Sequence, residues 1–142
     1  MDKQDEGLKL LKEIRHIAKM IDELQEEIDE IYTLLTSTTV KPKEVDFQTS
    51  GDPDPMATKM IKILEYQEQL QKYQSILCEK KLLALNIIQQ MSVEKQQVIT
   101  LRYFKGYSVE DIGERIGYTY RWAWEKIHEA EAEFISIYEK TT

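Results

Sequence analysis

Leu10, Ile14, Ile17, Ile21, Leu24, Ile28, Ile31 and Leu35 follow one another at spacings of 4, 3, 4, 3, 4, 3 and 4. That repeat is the a/d seam of a left-handed coiled coil, held for more than three heptads. It predicts one helix over about residues 7–35, roughly 40 Å long at 1.5 Å per residue. The other face carries Asp22, Glu23, Glu26, Glu27, Asp29 and Glu30, a solvated acidic surface. Thr36, Ser37, Thr38 and Thr39 end the helix, since β-branched and hydroxyl side chains lose or divert helical structure.

A second long helix is predicted from near Pro55 or Met56, because proline is tolerated in a first turn. Ile63, Tyr66, Leu70, Tyr73, Leu77, Ala84 and Ile87 keep the 3,4 spacing, interrupted at Lys80, with Ile76 and Leu83 widening the stripe. Neither long helix can hide its apolar face alone. Antiparallel pairing into a hairpin covers most of it, and dimerisation of hairpins covers the remainder. The tyrosines suit a seam whose edge is wet. Cys78 reads as a buried small hydrophobe.

Between the helices, residues 36–55 carry Pro42, Pro53, Pro55 and Gly51, which forbid a continuous helix. This linker exceeds the about 2–8 residues usual between packed helices. It reads as a crossover, or as a docking segment with Val45 and Phe47 as its apolar residues.

Composition narrows the function. One cysteine excludes an internal disulfide and a thiolate zinc site. No apolar run approaches the roughly 18 residues of a membrane span. The opening MDKQDEG is acidic and polar, so no signal peptide is expected and the cytoplasm is the simplest home. The net charge of −7 argues mildly against nucleic acid, because phosphate contacts need cations. It does not decide the matter, since field strength is local.

The last third changes character, with glycines at Gly106, Gly113 and Gly117 and shorter helical patterns. One helix is expected over about residues 93–104, with Ser92 as its N-cap. After the turn at Lys105-Gly106-Tyr107, Ser108-Val109-Glu110-Asp111 has capping-box spacing and opens a short helix to about Ile116. Gly117 closes it in the left-handed conformation, and Thr119 caps a third helix running to about Tyr138. A short helix, a glycine-containing turn and a second helix are the helix-turn-helix plan. Gly113 permits a close crossing. Val109, Ile112 and Ile116 face Ala123, Ile127 and Ala130, and Val98, Leu101 and Phe104 complete a three-helix core.

This stretch resembles region 4 of bacterial sigma factors over about residues 91–135. The matching positions are Val98-Ile99-Thr100-Leu101-Arg102-Tyr103, Gly106-Tyr107-Ser108, Ile112, Glu114-Arg115-Ile116-Gly117, and His128 before Ala130. The whole chain is similar to phage late-transcription regulators of the RinA/ArpU type. Those carry such a module behind helical sequence, with a stretch that stands here as Gly117-Tyr118-Thr119-Tyr120-Arg121. The resemblance implies a DNA-binding activator of a phage or prophage late operon in a Gram-positive host, acting with host RNA polymerase and without enzymatic activity or cofactor.

Carried onto this sequence, the resemblance makes Tyr120, Arg121, Trp124 and Glu125 the base readers, with His128 one turn further. Arg121 would bind a guanine bidentately and Glu125 would accept from a cytosine amino group. Thr119, Tyr118, Lys126 and Arg115 are the phosphate candidates, joined by Lys105 and Arg102 from the preceding turn. Trp122 and Trp124 lie two apart and cannot both face inward; Trp124 is the outward one. The helix departs from the sigma pattern in setting Arg121 and Lys126 against Glu125, Glu129, Glu131 and Glu133, so few phosphate contacts are available.

The expected architecture is therefore all-α. A coiled-coil-like hairpin over 7–90 serves oligomerisation, a dimer being favoured, and a helix-turn-helix over 91–142 binds promoter or operator DNA. The rival is a protein that binds polymerase or sigma factor without reading DNA. A DNA-packaging subunit is disfavoured because its helix-turn-helix usually comes first. Glu13-x-x-His16 and Glu125-x-x-His128 are the half-motifs of a di-iron bundle, but the second sits among glycine turns, so no metal is expected.

Overall fold

The computed structural model describes residues 3–37 and 54–141, and every regular element among them is helical. The elements are α1 (Lys3–Ser37), α2 (Pro55–Ile88), α3 (Val93–Ile99), a π-helical turn (Thr100–Phe104), α4 (Val109–Ile116) and α5 (Tyr120–Thr141). Most of the linker expected over 36–55, with Val45 and Phe47, lies outside the described residues.

Two compact units divide the chain, one of Met1–Lys19 and Ile76–Thr142, the other of Met20–Ser75. The boundary expected at residues 90–91 therefore falls inside the first unit. The reason is burial. Leu10, Leu11 and Ile14 of α1 and Ala84, Ile87 and Ile88 of α2 enter one core with Val98, Ile99, Ile112, Ala123, Ile127 and Phe134. Helices of seven and eight residues, as α3 and α4 are, cannot bury a core by themselves, so the long helices supply the rest of it. Leu10 and Ile14, read as coiled-coil seam, are thus consumed here. Leu11, off the seam, is fully buried as well.

Other contacts join α1 to this unit. Glu13 pairs with Lys80 at 2.9 Å. Arg15 donates to the Gly106 carbonyl at 3.4 Å, its guanidinium held below its ordinary pKa by burial and then by neighbouring Arg102. A Cβ on Gly7 would lie 3.3 Å from the Tyr138 ring. α1 starts at Lys3 rather than near Gly7, so Gly7 is an internal helix position beside that ring. Cys78 is exposed, contrary to expectation, because α2 turns Leu77, Ala84, Ile87 and Ile88 to the core instead.

In the second unit, Ile28 and Ile63 are buried. Ile21, Leu24, Ile31 and Leu35 of α1 and Tyr66, Leu70 and Tyr73 of α2 are half-buried. Met20, Leu24, Tyr66 and Tyr73 line one shallow recess. Met56, Met60, Ile61 and Leu64 stay exposed. Asp54 caps α2, its carboxylate accepting from the Ala57 N–H at 3.3 Å.

The helix expected over 93–104 changes register at Thr100. The Lys105 N–H bonds back to the Thr100 carbonyl at 3.0 Å, five residues earlier. Positions three and six after Val98 consequently share its face only in part. Leu101 and Phe104 are half-buried, while Tyr103 turns inward and is buried. Ser92 occupies the N-cap position of α3 with extended backbone, but its side chain makes no capping bond.

Candidate nucleic-acid interface

The candidate site is built by two caps and a close crossing. Ser108 accepts from the Asp111 N–H at 3.1 Å and starts α4. Gly117 ends it at φ +86°, a conformation that costs a side-chain-bearing residue about 1–2 kcal/mol. The N–H groups of Gly117 and Tyr118 both reach the Gly113 carbonyl, at 2.9 and 2.8 Å. A Cβ at Gly113 would lie 3.1 Å from the carbonyl oxygens of Tyr118 and Thr119, so a side chain there would press the turn away from α4 by a few tenths of an ångström. Thr119 then accepts from the Trp122 N–H at 3.1 Å and starts α5.

Ala123, Ile127, Ala130 and Phe134 anchor the inner face of α5 in the core. That anchoring decides what its first two turns present to solvent. Tyr120 is exposed. The Arg121 side chain is 89% exposed, and its Nε lies 3.8 Å from Glu125, a loose pair across one turn. Trp124 is 46% exposed and stacks on His128 with ring centroids 4.0 Å apart. The His128 Nδ1 lies 2.9 Å from the Trp124 carbonyl oxygen. Trp122 is half-buried and packs on the core, with Tyr118 stacked over it at 4.3 Å.

The cations divide into free and engaged. Lys126 lies 3.3 Å from both Glu94 and Glu129. Those hydrogen bonds, Glu94 first, raise its pKa above the ordinary lysine value. Its ammonium is thus paired with two exposed carboxylates. Arg102 donates to the Tyr107 carbonyl at 3.1 Å and holds the turn. Arg115 lies over the Tyr107 ring at 4.7 Å, yet the residue is exposed, as is Lys105. Arg121, Arg115 and Lys105 are exposed cations on α5, α4 and the turn before α4.

The contact that sequence reasoning missed is Tyr103 with Glu131. The phenol donates to the carboxylate, and burial followed by this bond pushes the phenol pKa up. Tyr103 was legible as a match position but not as an inward one, because it lies off the face of Val98, Leu101 and Phe104 expected to be buried; it follows the buried Ile99 by four residues. Among the described residues no three His, Cys, Asp or Glu side chains gather to hold a metal. No helix among them is long and apolar enough to cross a membrane. No protein-family model, curated protein or solved structure matches the chain.

Proposed function

We propose that this chain is a sequence-specific DNA-binding transcription regulator, the activator of a phage or prophage late operon. In this reading α4, the turn at 117–119 and α5 work as a sigma region 4-like helix-turn-helix, and the first two turns of α5 enter the major groove. Arg121 and Glu125 face base edges, and Arg115, Lys105 and the N–H groups at the start of α5 hold phosphates. The observation that supports it best is the crossing at Gly113, with the Arg121 side chain on α5 exposed and only loosely paired with Glu125. α1 and α2 act as a helical hairpin through which two copies pair and set two α5 helices on adjacent half-sites. The complex recruits host RNA polymerase in the bacterial cytoplasm, without enzymatic activity or cofactor.

The test is selection of sheared source-genome DNA on the purified protein at moderate salt, followed by sequencing. The expected result is enrichment of one intergenic site, lost in Arg121→Ala. No enrichment even at low salt overturns the reading. Sedimentation of a monomer at micromolar concentration overturns the dimer.

A second reading has its own support. Tyr118, Tyr120 and Trp124 are exposed beside Arg121, and Trp, Tyr and Arg dominate the hot spots of protein interfaces. With the net charge of −7, this favours a protein that docks on polymerase or its sigma factor without reading DNA. A polymerase pull-down that survives Arg121→Ala, in the absence of any enriched site, selects it.

A further inference from the structure

We infer that Trp124, held flat by His128, reads the C5-methyl group of a thymine in duplex DNA. The inference rests on the DNA-binding reading of α5 and adds a specificity element to it.

Trp124 presents part of its apolar area to solvent, and His128 backs it on one side. The imidazole of His128 covers one side of the indole, with ring centroids 4.0 Å apart and planes at 29°. A carbonyl oxygen only accepts, so the Nδ1–H of His128 donates to the Trp124 carbonyl at 2.9 Å. That bond fixes the imidazole, and the imidazole fixes the indole. The remaining surface of Trp124, a residue 46% exposed, is an apolar plane backed by the imidazole on its other side.

Its place on the helix selects the ligand. Trp124 lies three residues after Arg121, so the two side chains are neighbours on the helix surface. The axial rise between them is about 4.5 Å, little more than one base step of about 3.4 Å. An arginine bidentate to guanine therefore leaves Trp124 over the next base pair or the one after. In the major groove the apolar feature that a base pair offers is the thymine methyl. Trp122 is not available for this contact, since Tyr118 stacks over it and Lys126 lies 6.0 Å from its ring centroid.

The experiment uses the full-length protein and the site recovered by genomic selection. Each thymine of that duplex is replaced in turn by deoxyuridine, which removes the methyl and keeps the pairing. Wild type is expected to lose about fourfold in affinity at one thymine within two steps of the guanine that Arg121 reads, the amount that burying one methyl is worth. Trp124→Ala, at a solvent-facing position, is expected to fold, as circular dichroism will report, and to bind the thymine and deoxyuridine duplexes equally. Equal binding of both duplexes by wild type overturns the inference and leaves DNA recognition standing. So does an undiminished methyl effect in Trp124→Ala, and so does tighter binding of the single strand than of the duplex. Absence of any selected site overturns DNA recognition itself, and the inference with it.

Discussion

Tyr103 in the π-helical turn donates its hydroxyl to a carboxylate oxygen of Glu131 on α5, joining residues 28 apart in the chain. Tyr103 is 4% exposed and Glu131 half-buried, so the bond is partly shielded from water. Tyr103→Phe removes it and leaves the carboxylate without that donor. A hydrogen bond to a charged group is worth about 1.5–3 kcal/mol, and urea denaturation should show a loss of that size.

The same residue predicts an alkaline signature. Burial first, then Glu131, raises the phenol pKa in the folded protein. Folding therefore favours the neutral phenol. Its contribution is complete below about pH 10, the ordinary tyrosine value. Above it, the unfolded chain ionises first and stability falls as the pH climbs toward the folded value. Denaturation midpoints between about pH 10 and 12 should fall less steeply in Tyr103→Phe than in wild type. Equal slopes would show that Tyr103 does not carry this dependence.

Gly113→Ala places a Cβ 3.1 Å from two backbone carbonyl oxygens, neither of which belongs to a flexible side-chain end. Overpacking of this kind costs about 1–3 kcal/mol. Because the clash lies between α4 and the turn into α5, it should also weaken binding of the selected DNA site beyond the loss of folded protein. Fluorescence anisotropy at matched folded fraction checks this. An affinity equal to wild type would mean that the crossing does not position α5.

Lys126 and Arg121 should behave differently although both stand on the first turns of α5. The Lys126 ammonium is engaged by Glu94 and Glu129, whereas Arg121 is nearly free. Arg121→Ala should reduce specific affinity by about tenfold or more, as loss of a bidentate guanine contact does. Lys126→Met should change it by less than about twofold and leave the salt dependence unaltered. A salt slope that drops in Lys126→Met would identify that lysine as a phosphate contact after all.

The second unit rests on few buried residues. Ile63 is 1% exposed and Ile28 3%, and the flanking seam positions are only half-covered. Ile63→Ala should cost about 2–5 kcal/mol of local stability. Hydrogen exchange should quicken over residues 20–37 and 54–75, while the amides of Val98, Ile112 and Ile127 keep their protection. Uniform acceleration across the chain would show that the two units open together.

Several features were legible in the residues alone because they depend on local chemistry. The 3,4 spacing through Leu35 belongs to α1, and proline at Pro55 falls in the first turn of α2. Ser108, Thr119 and Gly117 act within three or four residues of themselves, and each occupies the cap expected of it. The outward place of Trp124 and the inward lean of Trp122 follow from a separation of two on a helix whose buried face includes Ala123 and Ile127.

Other features were not legible, because they are set by what lies across the fold. A heptad pattern states that a face must be buried but not by which partner, and here Leu10 and Ile14 meet the core of α3 to α5. Nothing near Gly7 in the chain announces the Tyr138 ring beside it. The π turn at Thr100 leaves no mark in composition, and nothing local shows that Tyr103 within it meets Glu131. Nothing near Lys126 in the chain announces that Glu94, 32 residues earlier, lies 3.3 Å from its ammonium. By itself the sequence determined helix identity, caps and turn, since those energies are paid out over a single helical turn. The tertiary structure alone decided which apolar faces meet and which cations remain free, because burial and ion pairing depend on neighbours distant in the chain.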